Sequence, residues 1–312
     1  MSQVFGIVPS RRLGRSLGIS PIPESTCTYS CVYCQLGRTH NMTVEREEFF
    51  SLETLMNEIA PYQKQKDLFD VITVVGEGEP TLYSRLGELA RRLKERFDKP
   101  TVLITNGSLF FKKEVAADSG HFDIVMPSLD AWDEESFKTI NRPHGTIYFK
   151  QMFEGMKAFR RQYKGDFYLE TMCLEGFRLK NGINDPQKRK DAVLHKMKEL
   201  KPNKVFINTP VRPPAEKWVK TCSKELLKQY REEFPRGSDS ALPKSRVHSD
   251  IKDTYNAVVE IIKRHPLEKS DIINFCSQRN TNSKPILEKL RDSPKIEKIE
   301  YNGGLFFRIK TG

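Results

Sequence analysis

The sequence lacks the features of a membrane or secreted protein. No run approaches the eighteen or so apolar residues that a bilayer-spanning helix needs, and the first residues, MSQVFGIVPSRR, contain no apolar signal-peptide core. We therefore expect a cytoplasmic protein without a membrane segment. Internal repeats of solenoid length are also absent, and at 312 residues the chain is long enough to bury a large core.

Cysteine is scarce and unevenly placed. Three of the six cysteines lie within CTYSCVYC, residues 27–34, while Cys173, Cys222 and Cys276 are isolated. This is not the even framework of a small disulfide-rich protein, so we expect reduced thiols, with packing roles for Cys222 and Cys276. Acidic residues are outnumbered, 41 against 52 basic ones, and the net charge of +11 favours association with polyanions such as nucleic acid.

Short apolar runs that alternate with amphipathic helix patterns predict an α/β fold with a parallel sheet. Together with a first strand around SLGIS, the predicted strands are DVITVV (70–75), TVLIT (101–105), FDIVMP (122–127), FYLETM (167–172) and KVFIN (204–208). Six strand-helix units are too few for a closed eight-fold barrel, so we expect an open, partial (βα)6 barrel. Its chemistry should lie at the carboxyl ends of the strands, where GEGEP, TNG, SLD and NTPVRPP converge.

The pattern changes after residue 234. We assign residues 1–234 to the barrel, the Pro- and Ser-rich residues 235–249 to a linker, and residues 250–312 to a second unit. That unit shows three helical patterns, at about 250–264, 268–278 and 282–292, and then two β-rich runs joined at Asn302-Gly303-Gly304. Three helices and a hairpin predict a winged-helix-like domain that contacts nucleic acid, docks a protein or serves as a structural lid.

Three clustered cysteines suit a metal centre, because thiolates bind zinc and iron-sulfur clusters. A structural zinc needs a fourth ligand, and the nearest is His40, in a spacing that matches no common zinc motif. In that alternative the chain is a non-enzymatic zinc-binding nucleic-acid adaptor. On a four-iron cubane, three cysteines leave one iron free to bind a small chelating molecule.

The motif C-x3-C-x2-C at Cys27, Cys31 and Cys34, with Tyr33 before the last cysteine, resembles the signature of the radical S-adenosylmethionine superfamily. The resemblance covers roughly residues 5–215. It implies a radical-SAM partial barrel and an enzyme whose 4Fe-4S cluster binds S-adenosylmethionine and cleaves it reductively to a 5'-deoxyadenosyl radical. A one-electron reductant of the flavodoxin or ferredoxin type is then expected as a partner.

The resemblance also implies a set of cofactor-binding residues. GEGEP would receive the methionine amino group, TNG and SLD would hold the ribose and the carboxylate, and NTPV would border the adenine together with the backbone of the aromatic residue in the cysteine motif. The residues so assigned are Tyr33, Gly76, Gly78, Glu79, Thr105, Asn106, Ser128, Asp130, Asn208 and Val211.

The segments GIVPSRRLGRSLGI, YCQLGRT and NTPVRPP look like the branch of the superfamily related to wyosine synthase, a tRNA-modifying enzyme. Those enzymes are expected to bind a second cluster through upstream cysteines, and residues 1–26 contain none. The substrate therefore stays open between RNA, through tRNA modification, and a protein or peptide side chain. No acid-base catalytic residue is assigned. Residues that could face the substrate are Arg11, Arg12, Arg15, Glu170, Met172, Cys173 and Arg212.

Overall fold

The computed structural model describes residues 3–10, 12–234 and 251–310. The predicted linker, 235–249, lies outside these ranges. The strands are β1 (Val4–Ser10), β2 (Gly14–Ile19), β3 (Thr26–Cys27), β4 (Asn41–Met42), β5 (Val71–Val74), β6 (Thr101–Thr105), β7 (Ile124–Pro127), β8 (Asp166–Met172), β9 (Leu174–Glu175), β10 (Lys204–Asn208), β11 (Lys220–Thr221), β12 (Leu267–Glu268), β13 (Ile296–Tyr301) and β14 (Gly304–Ile309).

Ten α-helices are present in the described ranges. They are α1 (Leu52–Ile59), α2 (Leu86–Arg96), α3 (Lys113–Ser119), α4 (Glu134–Ile140), α5 (Phe149–Gln162), α6 (Pro186–Glu199), α7 (Lys224–Glu232), α8 (Thr254–Arg264), α9 (Lys269–Gln278) and α10 (Ser283–Asp292). Two 3-10 helices span Ala60–Leu68 and Pro80–Leu82.

One seven-stranded sheet organises the first 210 residues, in the order β1-β2-β5-β6-β7-β8-β10. The six strands from β2 to β10 run parallel, as the sequence predicts, and β1 is an antiparallel edge strand that the sequence analysis missed. In the described residues β1 and β10 do not pair with each other, so the sheet is an open barrel. Parallel strands are joined by helices, which cover one face of the sheet.

The main core lies between the sheet and those helices. The apolar stripe Leu52, Leu55, Met56 and Ile59 of α1 is buried there, as its spacing predicts. Alternate strand residues face the other way and pack in a smaller cluster of Met126, Tyr168 and Phe206, with Leu13 from the β1–β2 turn against it. The second face is the inner face of the open barrel.

Residues 251–310, called here the C-terminal unit, have their own core of α8, α9, α10 and a three-stranded sheet in the order β12-β14-β13. The hairpin turn falls at Asn302 and Gly303, both with positive φ, which is the backbone conformation that tight two-residue hairpin turns require. Cys276 is buried in this core. The predicted helices and hairpin are therefore present, and the winged-helix assignment itself stays a prediction.

Candidate active site

The three clustered cysteines lie on the segment that follows β2, called here the cysteine loop; Cys27 ends the short strand β3 within it, and the turn after β5 supports it. The Ser25 backbone N–H donates to the Glu77 carbonyl at 2.8 Å, and the Glu79 N–H donates to the Thr26 carbonyl at 3.0 Å. A Cβ added to Gly78 would lie 1.8 Å from the Thr26 carbonyl oxygen. Glycine is therefore required at this position because the two chain segments touch backbone to backbone.

Side-chain amides donate to two of the thiols. The Asn106 amide lies 3.7 Å from the Cys27 sulfur, and the Asn141 amide lies 3.6 Å from the Cys31 sulfur. Burial raises the pKa of Cys27 to about 12 and also raises the pKa of Cys31 and of Cys34. Cys27, Cys31 and Cys34 would hold a metal centre as thiolates, and the two amides would then donate hydrogen bonds to the sulfurs of Cys27 and Cys31.

The chemistry of this donor set fits an iron-sulfur cluster, because thiolates are the usual protein ligands of such clusters. Among the described residues, no three His, Cys, Asp or Glu side chains are grouped closely enough to hold one metal ion. Thiolates on a cubane each bind a different iron, so they stand farther apart than the ligands of one zinc. His40, which the zinc alternative needs, is exposed. The side chains of Cys27, Cys31 and Cys34 would hold the cluster.

The Glu79 carboxylate connects the turn after β5 to the turn after β6. It is 1% exposed and accepts hydrogen bonds from the hydroxyls of Thr81 and Thr105, both at 2.6 Å, and from the Asn106 backbone N–H at 2.7 Å. The sequence analysis expects Glu79, with the backbone of the glycine turn, to receive the methionine amino group, and that role stays a prediction. In the structure the buried carboxylate accepts hydrogen bonds from protein donors and thereby joins the two turns.

The Asp130 carboxylate has a similar role on the other side of the loop. It accepts hydrogen bonds from the Tyr33 hydroxyl, from the Asn141 amide at 2.9 Å and from the Met172 backbone N–H at 2.8 Å. Ser128, two residues earlier, donates its backbone N–H to the carbonyl of the last residue of β6. Asp130 therefore links the cysteine motif to the carboxyl ends of β7 and β8.

The loop after β10 borders the same region. Val211 is 46% exposed, and the Arg212 guanidinium lies 3.4 Å from the side-chain oxygen of Gln35, directly after the last clustered cysteine. The Asn208 carbonyl accepts a hydrogen bond from the backbone of Cys173 at 2.7 Å. The predicted convergence of the strand endings on one edge of the sheet is therefore what the structure shows.

The predicted substrate residues do not all reach this edge. Arg12 forms an ion pair with Glu170 inside the barrel, and the amide of Asn208 donates to the same carboxylate. Arg15 instead pairs with Asp70 at 2.7 Å at the amino ends of β2 and β5, opposite to the cysteines. We therefore remove Arg15 from the site, because strand direction places it at the wrong end of the sheet. Arg11 lies outside the described residues.

Two of the isolated cysteines are paired. Cys173 and Cys222 form a disulfide with a Cα–Cα distance of 5.6 Å, although 49 residues separate them in sequence. The expectation of reduced, unpartnered thiols is wrong for this pair. The short pairing of β9 with β11 brings the two segments together, which sequence spacing alone could not indicate.

Glu216 is a residue of the site that the sequence analysis missed. Its side chain is 9% exposed and pairs with Arg38 at 2.9 Å and with Arg142 at 2.5 Å. Its backbone N–H also donates to the Val32 carbonyl, within the cysteine motif, at 3.0 Å. The two arginines, Arg38 first, lower the pKa of Glu216. The carboxylate therefore joins the loop after β10 to the cysteine loop, and no local sequence pattern marks it.

This fold and cysteine loop agree with comparisons to known proteins. The family model described as "Radical SAM superfamily" matches residues 22–180, about half of the chain and including the cysteine motif. The chain belongs to the radical SAM superfamily.

Within that class, the chain is similar over nearly its full length to UPF0026 protein MJ1312 of Methanocaldococcus jannaschii. The two are 36% identical, and the match covers 98% of this chain and 96% of the relative. UPF0026 protein slr1464 of a Synechocystis species is 34% identical, over 67% of this chain and 76% of its own. A solved radical SAM methyltransferase from Sphaerobacter thermophilus has a TM-score of 0.51 at 14% identity, covering 75% of this chain and 71% of that chain, which shows a common fold.

The chain is therefore an enzyme whose cofactors are S-adenosylmethionine and a 4Fe-4S cluster. The alternative function, a non-enzymatic zinc-binding nucleic-acid adaptor, is wrong, because the chain belongs to a superfamily of enzymes. The narrower likeness to wyosine synthase stays a prediction. None of the helices in the described ranges has both the length and the apolarity needed to cross a membrane.

Proposed function

We propose that this enzyme binds S-adenosylmethionine against a cluster held by Cys27, Cys31 and Cys34 and uses the resulting radical chemistry on an RNA substrate. When bound, the cluster and S-adenosylmethionine would supply a 5'-deoxyadenosyl radical. The observation that carries the first part is the cysteine loop itself, since its three half-buried thiols border the carboxyl edge of the sheet and two of them receive amide donors.

The chain's own residues would orient the nucleotide and exclude water. Asn106, Ser128 and the segment Asn208–Val211 stay the proposed contacts for it, together with backbone groups at Tyr33 and in the glycine turn. Glu79 and Asp130 would hold these groups in place, because each carboxylate accepts several hydrogen bonds from different segments of the chain and so fixes those segments relative to one another. Arg12, Glu170 and Arg212 are the proposed substrate-facing residues.

The charge of the chain supports RNA over a protein substrate. The net charge is +11, and exposed basic side chains such as Lys284 and Lys289 lie on α10 of the C-terminal unit. A polyanion releases counterions when it binds such a surface, so affinity should fall steeply as salt is raised. We also propose a cytoplasmic location. Because the chain belongs to the radical SAM superfamily, we propose a flavodoxin- or ferredoxin-type reductant as its electron donor.

Anaerobic reconstitution with iron and sulfide tests the first part. We expect a brown protein that releases 5'-deoxyadenosine under strong reductant, and we expect that alanine at Cys27, Cys31 or Cys34 abolishes both properties. Cys276→Ala is the matched control, because this buried cysteine lies in the core of the C-terminal unit. Iron retained by the motif variants, or no 5'-deoxyadenosine from fully loaded enzyme, would contradict the proposal.

Comparison of a deletion strain with its parent tests the substrate. The RNA proposal expects a changed nucleoside in total tRNA and salt-sensitive binding that weakens in a K284Q/K289Q variant. An unchanged nucleoside profile together with a defined mass shift on one cellular protein would replace RNA by a protein side chain.

A further inference from the structure

The C-terminal unit makes specific contacts with the same loops that surround the cysteine motif. The Tyr301 hydroxyl donates to the Pro210 carbonyl at 3.1 Å, and the Arg308 guanidinium donates to the Pro214 carbonyl at 3.0 Å. Both acceptors belong to NTPVRPP, whose first four residues, Asn208–Val211, are proposed to border the adenine; Pro210 lies among these and Pro214 three residues after them. Prolines restrict the backbone of this segment, so the two donors act on a segment with little conformational freedom of its own.

A second set of contacts reaches the turn after β5. Arg264, at the end of α8, pairs with Glu77 at 3.2 Å, and its guanidinium lies over the ring of Phe5 at 5.1 Å. Glu77 is the residue whose carbonyl accepts the Ser25 N–H just before the cysteine motif. The next residue of the unit, His265, is surrounded closely enough that burial, with the charges of Arg212 and Arg264, lowers its pKa to about 3.

A third contact region lies beside the cysteine loop itself. A small cavity of about 30 Å³ is lined by Gln35, Leu36 and His40 of that loop and by Lys263 and Arg308 of the C-terminal unit. Gln35 and Leu36 directly follow Cys34 in the chain, so the shared cavity places Arg308 close to the last cysteine of the motif. Arg308 is also held in place by Glu297 at 2.7 Å.

We propose that the C-terminal unit completes the S-adenosylmethionine site, with Tyr301 and Arg308 as positioning residues for the proline segment and Arg308 as a fixed positive charge beside the cluster. This rests on the proposed function above. The C-terminal unit would then contribute to the active site, independently of any ligand that its helix α10 binds. Two separable effects follow: the hydrogen bonds set the affinity for S-adenosylmethionine, and the charge sets how readily the cluster accepts an electron.

Four full-length, reconstituted variants separate these effects. Tyr301→Phe removes only the hydroxyl donor. Arg308→Gln removes both the positive charge and the planar guanidinium, whereas Arg308→Lys keeps the charge without the planar guanidinium. Lys269→Gln removes one charge from the exposed start of α9 in the same unit and serves as the control. Iron content and thermal stability are measured for each variant, so that only folded, loaded protein is compared.

The readouts are the dissociation constant for S-adenosylmethionine, from equilibrium titration without reductant, and the midpoint potential of the cluster, from a redox titration followed by electron paramagnetic resonance. We expect Tyr301→Phe to weaken binding about fivefold, the effect of one hydrogen bond, at an unchanged potential. Arg308→Gln should weaken binding and lower the potential, because a nearby positive charge favours the reduced cluster. Arg308→Lys should restore the potential but not the affinity.

Unchanged affinity in both Tyr301→Phe and Arg308→Gln would overturn the proposal, as would an equal loss in Lys269→Gln. If the Arg308 variants fail to fold or to take up iron, Tyr301→Phe decides the question, because it deletes a single oxygen atom. These outcomes are distinct from failure of the proposed function, which would appear as a wild-type enzyme that takes up no iron or releases no 5'-deoxyadenosine.

Discussion

Glu216 provides the sharpest test of how the cysteine loop is held. Glu216→Gln keeps the shape of the side chain but removes the charge that pairs with Arg38 and Arg142. Breaking a fully buried ion pair costs about 3–5 kcal/mol. Here the arginine side chains are 67% and 36% exposed, so water compensates part of the loss, and we expect about 2 kcal/mol. For a chain of this size that corresponds to a fall in Tm of about 3 °C.

The assay is thermal and urea unfolding under anaerobic conditions, with iron loss on dilution measured in parallel. Glu48→Gln is the matched control, because Glu48 also pairs with an arginine, Arg85 at 2.8 Å, but its side chain is 38% exposed. We expect a loss below about 1 kcal/mol for this control. We also expect faster iron loss from Glu216→Gln alone, since the lost charge pairs with Arg38, close to the cysteine motif.

The difference in stability between wild type and Glu216→Gln should depend on pH in a direction that the pKa of Glu216 predicts. The pKa of Glu216 is lowered in the folded protein, so its stabilisation is present above the ordinary carboxyl pKa and is lost as the pH falls through the folded value. The gap between wild type and Glu216→Gln should therefore close on acidification. If Glu216→Gln is no less stable than Glu48→Gln at pH 7, or if the gap widens in acid, the reasoning is refuted.

Three further predictions concern other parts of the chain. Gly78→Ala should prevent stable iron uptake, because its Cβ would meet the Thr26 carbonyl oxygen at 1.8 Å; normal iron content would contradict this. Reducing the Cys173–Cys222 disulfide should lower the free energy of unfolding by about 3 kcal/mol, with two more thiols alkylated in the unfolded chain, and Cys222→Ser should abolish that response. The folded pKa of His265, about 3, lies below its ordinary value, so stability should fall as the pH drops below about 6.5, by about 2 kcal/mol at pH 5. His265→Gln should flatten this dependence in denaturant titrations at several pH values, and an unchanged slope would count against it.

Much of the candidate site could be predicted because it consists of one local cysteine motif and of the segments that directly follow successive parallel strands. The spacing of Cys27, Cys31 and Cys34 is local, and parallel strands place all their carboxyl ends at one edge of the sheet. Strand runs such as TVLIT and KVFIN coincide with β6 and β10 residue for residue. The prediction that GEGEP, TNG and SLD meet near the cysteines needed only the direction of the strands.

What local patterns could not indicate were the partners of single side chains. The sequence marks Glu79 only as part of the glycine turn, and folding surrounds its carboxylate with donors from two turns. The sequence suggests that Arg15 could face the substrate, but its position at the start of β2 places it at the opposite end of the sheet. Such errors arise because a side chain's surroundings depend on residues that are distant in sequence.

The sequence by itself indicated the class of chemistry, since periodicity predicts the strands and helices and the cysteine motif resembles the signature of the radical S-adenosylmethionine superfamily. Tertiary structure alone decided what supports that centre. Glu216 lies 178 residues from Arg38, Arg308 lies 95 residues from Pro213, and Cys173 joins Cys222, because loops from different strands cross at one edge of the sheet. Contacts made at such crossings have no period and no fixed spacing, so only the folded chain reveals them.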